Sequence, residues 1–426
     1  MKINPFSPNG PIHEGMFIGR LAELDRLEKN LIQTKAAMPR NFLITGERGI
    51  GKTSLLNYFK YVARGFIPIE NEQMRFLVVD TEIDQGTTQL GLVSKIELGI
   101  NNVLAQSEKT REFLKGIWSF IKSIETSALK FRPDNEKQSD ELILEQFSYD
   151  LARLVERVGS DDANGLFGTR YDGLVILIDE ADNASPQLGL GSFFKLLTER
   201  LQKRGCTRAM IGLAGLPEVR DVLSASHGSA LRIFDELKLD PLTDTEVVYV
   251  IESCLKQASE QNHAQYTITD GAQRYLIAIS EGYPHFIQQF GYSAFESDTD
   301  TVIDLDDVYS GAFGEHGALW AIGDRYYRDD FYKKIQGNGY RQVLRIMAKK
   351  LNAWVTKTEI REQFKGKDSI LDNAIKALRD RHIILSKEGE KGLYRLQQKG
   401  FAMWISLQQG DNTDLLSDPP AAQAAL

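Results

Sequence analysis

The chain opens on a stretch broken every few residues by Pro or Gly, and only then does a regular pattern of apolar and polar positions begin. From Ile18 to Ile32, Leu21, Leu24, Leu27 and Leu31 recur at helical spacing among charges, which predicts an amphipathic helix. Asn41 to Thr45 reads as a short strand, followed by a Gly-rich turn and an apolar helix from Thr53 to Ala63. Met74 to Asp80, Leu174 to Ile178 and Ala209 to Ala214 read as further strands, and Glu236 to Leu239 as a fifth. The run Leu174 to Ile178 is apolar throughout, as a strand covered on both faces would be. Strands alternating with helices predict an α/β fold around a parallel five-stranded sheet.

More than 90 residues separate the second and third strands, with helical periodicity at Leu90 to Leu104, Glu112 to Leu129 and Glu141 to Val158. The polar, aperiodic Arg132 to Asp140 reads as a loop inside this insertion, which spans about residues 82–165. From Thr243 the pattern is helical, and Thr243 with Glu246 resembles a capping box. Further on, helices are expected at Gln342 to Lys350, Lys357 to Phe364 and Ser369 to Arg381, then a strand at Ile383 to Ser386, a charged Gly turn and a strand at Leu393 to Leu396. That order resembles a winged helix-turn-helix, with Trp354, Tyr394 and Trp404 expected in its core. The expected division is an α/β core over 1–240, a helical domain over 241–328, a winged helix over 329–409 and a disordered tail over 410–426.

Charge changes this picture in one respect. The 426 residues carry 51 Lys plus Arg against 59 Asp plus Glu, a net charge of -8, which speaks against a uniformly basic nucleic-acid-binding protein. From Phe331 to Gly410, however, 17 Lys plus Arg face 7 Asp plus Glu, leaving 34 against 52 elsewhere. Two readings of this basic module stay open. In one, its third helix enters the major groove of double-stranded DNA, with Lys367, Lys376 and Arg379 near phosphates or bases and Lys387 and Lys391 on the wing. In the other, it docks protein. Cys206 and Cys254 form no CxxC or Cys/His cluster, so neither a zinc site nor a disulfide framework is indicated and a reducing cytoplasm is expected. The amino terminus lacks the apolar region of a signal peptide, and no apolar run approaches the roughly 20 residues that span a bilayer, so no membrane partner is expected.

The strongest chemical signal is Gly46-Glu47-Arg48-Gly49-Ile50-Gly51-Lys52-Thr53-Ser54, which satisfies G-x-x-x-x-G-K-[ST] directly after a strand and before a helix. Glycines let the backbone approach phosphates, Lys52 reaches the β and γ oxygens of ATP, and the Thr53 hydroxyl ligates Mg²⁺. Leu174 to Ile178 then delivers Asp179 and Glu180. Two acids beside a phosphate make sense if Asp179 holds Mg²⁺, directly or through water, while Glu180 polarises the attacking water as general base.

On these residues the chain resembles the additional-strand P-loop ATPases, in particular the AAA+ and STAND ATPases near the origin-recognition initiator clade, over about its first 325 residues. Met16-Phe17-Ile18-Gly19-Arg20 resembles the box that borders adenine in such proteins, Leu239-Asp240-Pro241-Leu242-Thr243 the hinge into their lid, and Gly282-Tyr283-Pro284-His285 the lid's G-x-P motif. The resemblance implies ATP hydrolysis with Mg²⁺ and Phe17, Ile18 and Gly19 near the base. It implies nucleotide contacts from Pro284 and His285, although His285 replaces the usual sensor Arg and either reaches the γ-phosphate or packs. Arg232 resembles an arginine finger offered to a neighbouring subunit; an ordinary surface role is the alternative. Gly212 to Gly215 stands where the family carries a polar sensor, so that sensor is expected to be missing. Asp80 either couples partner binding to Glu180 or caps a turn. The implied function is an ATP-driven switch that assembles on DNA or with a partner as a homo-oligomer or hetero-complex. The alternative is a signalling or scaffold ATPase subunit whose winged helix contacts an effector protein.

Overall fold

The computed structural model describes residues 2–8, 10, 19–119 and 136–408, save 329, 336, 352, 382, 388 and 389. Phe17, Ile18 and the expected tail lie outside the described residues. Two compact units form: His13–Asp240, and Pro241 onward together with the amino-terminal residues.

The first unit runs α1 (Leu21–Lys35), β1 (Asn41–Thr45), α2 (Lys52–Arg64), β2 (Phe76–Glu82), α3 (Gln89–Leu104), α4 (Glu108–Ile117), α5 (Glu136–Val158), α6 (Ala163–Phe167), β3 (Gly173–Asp179), α7 (Leu190–Lys203), β4 (Ala209–Gly215), α8 (Val219–Ser226) and β5 (Phe234–Lys238). The strands make one parallel sheet in the order β2-β3-β4-β1-β5. Because β4 separates β1 from β3, this is the additional-strand arrangement. Leu174 to Ile178 are all buried, since helices cover both faces of the sheet. On one face Leu43, Leu174, Ile176 and Leu213 join a core with Ile96, Phe147, Phe193 and Phe194. Phe42, pointing the other way, meets Phe59 of α2 edge-on at 5.0 Å.

Three expectations shift. β2 ends at Glu82, two residues beyond Asp80, because Thr81 and Glu82 still pair with Ile178 and Asp179 of β3. α4 stops at Ile117, short of the expected helix end at Leu129, and residues 120–135 lie outside the described residues. α5 begins at Glu136, inside the stretch read as a loop, since polar helix formers sustain a helix without any apolar period.

In the second unit, α9 (Asp244–Asn262), β6 (Thr267–Ile268), α10 (Asp270–Ser280), α11 (Pro284–Ser297), β7 (Val302–Ile303), α12 (Leu305–Phe313) and α13 (Ala318–Ile322) come first. The Thr243 and Glu246 side chains cap α9 reciprocally, as the sequence foretold. The Leu242 N–H donates to the Gly282 carbonyl at 2.8 Å, joining the hinge to the G-x-P turn. Residues 2–7 also pack here. The Phe6 ring lies against Gly291 of α11, the Ser7 N–H donates to Gln288, and the Lys2 ammonium meets buried Asp298 at 3.1 Å.

Two π-helical turns, Gly323–Tyr327 and Asp330–Lys334, lead into α14 (Asn338–Ala348), β8 (Val355–Thr356), α15 (Lys357–Gln363), α16 (Asp368–Asp380), β9 (Ile384–Ser386), β10 (Leu393–Leu396) and α17 (Lys399–Gln408). β8, β10 and β9 form a three-stranded antiparallel sheet where only a hairpin was expected. Trp404 of α17 is buried, but Trp354 is only half-buried, with the Arg395 guanidinium 5.0 Å from its ring centre. Glu281 links these helices to the earlier ones: its carboxylate accepts the N–H groups of Lys399 and Gly400 and so caps α17.

Candidate active site

The loop Gly46 to Gly51 joins the carboxyl end of β1 to α2. Gly49 and Gly51 adopt φ of 81° and 100°, a region costly for any residue with a Cβ, and this turns the backbone into the helix start. Leu239, the first residue of the hinge motif, closes over the loop: its N–H donates to Thr45 O at 2.7 Å. The Lys52 ammonium donates to Gly46 O at 2.8 Å and Glu47 O at 2.9 Å, which holds it across the loop. Burial pushes Lys52 below the ordinary lysine value, while Asp179, Asp182 and Glu47 pull it back.

Across the sheet from this loop, β3 ends in the acid pair. The Thr53 hydroxyl donates to Asp179 Oδ2 at 2.7 Å, so the two residues expected to hold Mg²⁺ are brought together. A hydroxyl and a carboxylate are hard oxygen donors, and this set fits Mg²⁺. Glu180 follows with φ of 53°, a left-handed conformation rare for a residue with a side chain. Its N–H donates to Asp179 Oδ1 at 2.9 Å, and its carboxylate accepts from the Asn183 amide at 3.1 Å. Burial holds the Glu180 carboxyl above its usual range, and the charges of Glu82, Asp179 and Asp182 raise it further against the opposing Arg48.

Beyond β4, the Leu216 N–H donates to Asp182 Oδ1 at 2.8 Å. A Cβ on Gly215 would lie 2.7 Å from that same oxygen, so glycine is required where a polar sensor stands in the resembled family. Ala214 is buried, and the strand end offers no side chain to a lytic water. Asp80 is occupied by α2: Lys60 lies 2.9 Å and Arg64 3.5 Å from its carboxylate. Glu82, which the sequence reading passed over, is instead the residue in register with Asp179.

Two more residues escaped the sequence reading. Arg20 is 7% exposed, takes φ of 62°, and donates to Ile50 O at 3.0 Å, pinning the phosphate loop from the box that contains Gly19. Asn183 holds Glu180. A charged residue adjoining a recognised motif was the available signal for Arg20; for Asn183 there was none beyond proximity to the acid pair.

Arg232 is exposed on a short 3-10 turn just before β5, whose first residue is in register with Asn41 at the start of β1. It thus sits at the end of the sheet opposite the phosphate loop, about 16 Å away at the rise of a five-residue strand. Pro284 and His285 open α11 in the second unit, where the His285 ring centre lies 5.1 Å from that of Tyr326. In the carboxy-terminal module Lys367, Lys376, Arg379 and Lys391 are exposed, and Lys387 is paired with Glu390 at 2.6 Å.

A glycine-rich anion loop between strand and helix, with an acid pair on the neighbouring-but-one strand, defines the P-loop class of nucleoside-triphosphate-binding folds. Within that class, residues 16–204 match the family model described as AAA ATPase domain. The chain is similar in fold to the ORC2 protein of Aeropyrum pernix solved with ADPNP and ADP, with a TM-score of 0.50 at 13% identity, over 93% of this chain and 97% of that one. Other solved structures that match are the ORC1 protein of Aeropyrum pernix in complex with DNA, with a TM-score of 0.42 at 17% identity over 92% of each chain. The RuvB Holliday junction branch migration motor of Thermotoga maritima also matches, with a TM-score of 0.40 at 13% identity over 91% of this chain and 95% of that one. No curated protein matches the chain. Among the described residues no helix is long and apolar enough to cross a membrane.

The raised Glu180 carboxyl gives a pH test. The expected general-base role of Glu180 requires the ionised carboxylate, so under that expectation hydrolysis falls off as pH drops through a value above that of an ordinary glutamate. Glu82→Gln removes a neighbouring negative charge and should move that acidic limb to lower pH, with the alkaline limb unchanged. A pH–rate profile of both proteins checks this, and an unmoved acidic limb would exclude coupling between the two carboxylates.

Proposed function

We propose that the chain is a Mg²⁺-dependent ATP-hydrolysing switch whose nucleotide state governs assembly with further subunits on double-stranded DNA. The observation that carries this reading is the meeting of Thr53 with Asp179 at 2.7 Å, directly beside Glu180. Mg²⁺ held by these two would neutralise charge on the β and γ oxygens. Lys52 and the N–H groups of Gly49 to Thr53 bind and orient the phosphates, and Glu180 takes the proton of the attacking water. Asn183 and the backbone of Glu180 orient that carboxylate. Arg232 is too remote from its own phosphate loop to serve it, so its part is taken in a neighbouring subunit. Phe17, Ile18 and Gly19 at the base, and Pro284 and His285 from the lid, are assigned by resemblance. With ATP and Mg²⁺ the purified protein should release phosphate and stop when the metal is chelated; turnover unaffected by chelation would overturn the metal assignment.

The order α14, β8, α15, α16, β9 and β10 is that of a winged helix, with α16 as recognition helix and the β9–β10 turn as wing. Exposed Lys376 and Arg379 on α16, Lys367 at its start and Lys387 and Lys391 on the wing supply phosphate contacts. DNA affinity should then fall steeply with salt, and each of Lys376→Ala and Arg379→Ala should flatten the salt dependence by about one charge.

A second reading has its own observation. Two exposed acids of α16 are tied to cations of the preceding helix, Asp372 to Lys357 at 2.6 Å and Asp368 to Arg361, and Asp380 lies 3.7 Å from Arg379 of the same helix. A recognition helix of mixed charge suits a protein partner, as in a signalling ATPase joined to an effector. Salt-insensitive or absent DNA binding in the same titration would favour it.

A further inference from the structure

A cleft of about 770 Å³ opens in the first unit, lined by Asp172, which precedes β3, and Arg208, which precedes β4. It therefore lies at the amino-terminal ends of these strands, about 20 Å from the acid pair, the length of β3. Cations from three separate segments converge on it: Arg153 of α5, Lys203 and Arg204 at the end of α7, and Arg208, all exposed. Arg204 is engaged by Glu145 and, at 3.3 Å, by the Ser148 hydroxyl. Arg153, Lys203 and Arg208 have no ion-pair partner among the described residues. The Leu201 and Gln202 carbonyls at the end of α7 already accept the N–H groups of Cys206 at 2.9 Å and Gly205 at 3.0 Å, so Lys203 is not needed to cap them. Of the two lining carboxylates, Asp172 accepts the Arg75 N–H at 2.8 Å and meets Lys35 at 3.4 Å. Among the lining residues this leaves Glu156 alone against three unpaired cations.

The arginines are also held in advance. The guanidinium groups of Arg153 and Arg204 lie 5.6 and 5.4 Å from the centre of the Tyr149 ring, so aromatic contact restrains both before any ligand arrives. Preset planar forks suit a tetrahedral oxyanion, which offers several acceptor oxygens at once, and a surplus of positive charge in so small a volume calls for a compact, multiply charged anion. The volume is that of a pocket for a small molecule. A DNA duplex carries its phosphates on a convex surface and would meet a ridge of cations better than a cavity.

We propose that this cleft binds a small oligophosphate, a ligand with two or more phosphoryl groups in a row, as a second anion site separate from the phosphate loop. Lys203 and Arg208 contact its oxygens from one wall, and Arg153 from the other. The site needs no ATP turnover, so it stands apart from the hydrolytic reading.

Calorimetric titration of the full chain with inorganic tripolyphosphate, in chelator so that no metal intervenes, tests it. The Lys52→Ala protein, whose phosphate loop is impaired and whose cleft is intact, should bind tripolyphosphate, and more weakly as salt rises. Adding Lys203→Glu and Arg208→Glu should weaken that binding at least about 100-fold, since two charge-assisted contacts are lost and two repulsions replace them. Adding Lys349→Glu and Lys365→Glu instead, at exposed lysines of the carboxy-terminal module, changes the net charge equally and should leave the affinity unaltered. An unchanged melting temperature shows that each variant is folded. ATP titrated into the same proteins identifies the source of the phosphates: cleft-dependent ATP binding assigns a nucleotide, and cleft-dependent tripolyphosphate binding without it assigns a free oligophosphate. A Lys52→Ala protein that binds no tripolyphosphate, or equal affinity after the cleft reversal, would overturn the proposal. So would a cleft that binds polyglutamate or an oligonucleotide but no tripolyphosphate, which would make it a docking groove for an acidic macromolecule.

Discussion

Glu180→Gln should leave ATP bound and unhydrolysed, with turnover down about 100- to 10,000-fold, the range a positioned general base supplies. The substitution keeps the size of the side chain and an oxygen for the Asn183 amide, so the left-handed turn at residue 180 is not disturbed. It removes only the ability to take a proton. Phosphate release should collapse while binding of a fluorescent ATP analogue stays within about twofold. Turnover equal to that of the unaltered protein would eliminate Glu180 as the base. A loss of nucleotide binding would instead give the residue a role in holding the site together.

Lys52→Ala should act one step earlier. The ammonium that spans Gly46 O and Glu47 O is the one formal charge placed to meet the β and γ oxygens from within the helix start, and alanine cannot replace it. At ATP a hundredfold above its dissociation constant the unaltered protein gains about 2.7 kcal/mol of stability by mass action. For a domain of this size that is a rise of about 5–11 °C in melting temperature. The Lys52→Ala protein should lose nearly all of that rise while melting near the unaltered temperature without nucleotide. An ATP-induced rise that survives the substitution would mean that the loop binds phosphate through its backbone alone.

The parts of this protein that were readable from the chain are those whose physics is local. A strand buried on both faces must be apolar throughout, which is why Leu174 to Ile178 could be read without any period. The phosphate loop needs its glycines, lysine and threonine within a single turn, so its chemistry is written consecutively. Asp179 and Glu180 are likewise adjacent. What escaped was set by partners distant in sequence. Thr81 and Glu82 are polar, and only pairing with β3 keeps them in the sheet and brings Glu82 beside the acid pair. Arg20 finds its acceptor 30 residues away, at Ile50 O. The two residues of β8 are too few to leave an alternation, although they make a hairpin into a sheet. At Gly212 to Gly215 the resemblance led to the expectation of a missing sensor; that the Asp182 carboxylate leaves no room for a side chain at Gly215 needed three dimensions.

The amino-terminal residues impose an order on synthesis. Asn4 donates to Tyr292 O, a partner 288 positions later, and Ser7 to Gln288, 281 later. At a ribosomal pace of about 5–20 residues per second, these first residues wait about 15–60 s for α11 to emerge. The ATPase unit is translated whole within that interval. It therefore has time to fold as an independent body before the chain's beginning finds its seat, and any refolding from denaturant, where all residues are present at once, takes place without that head start.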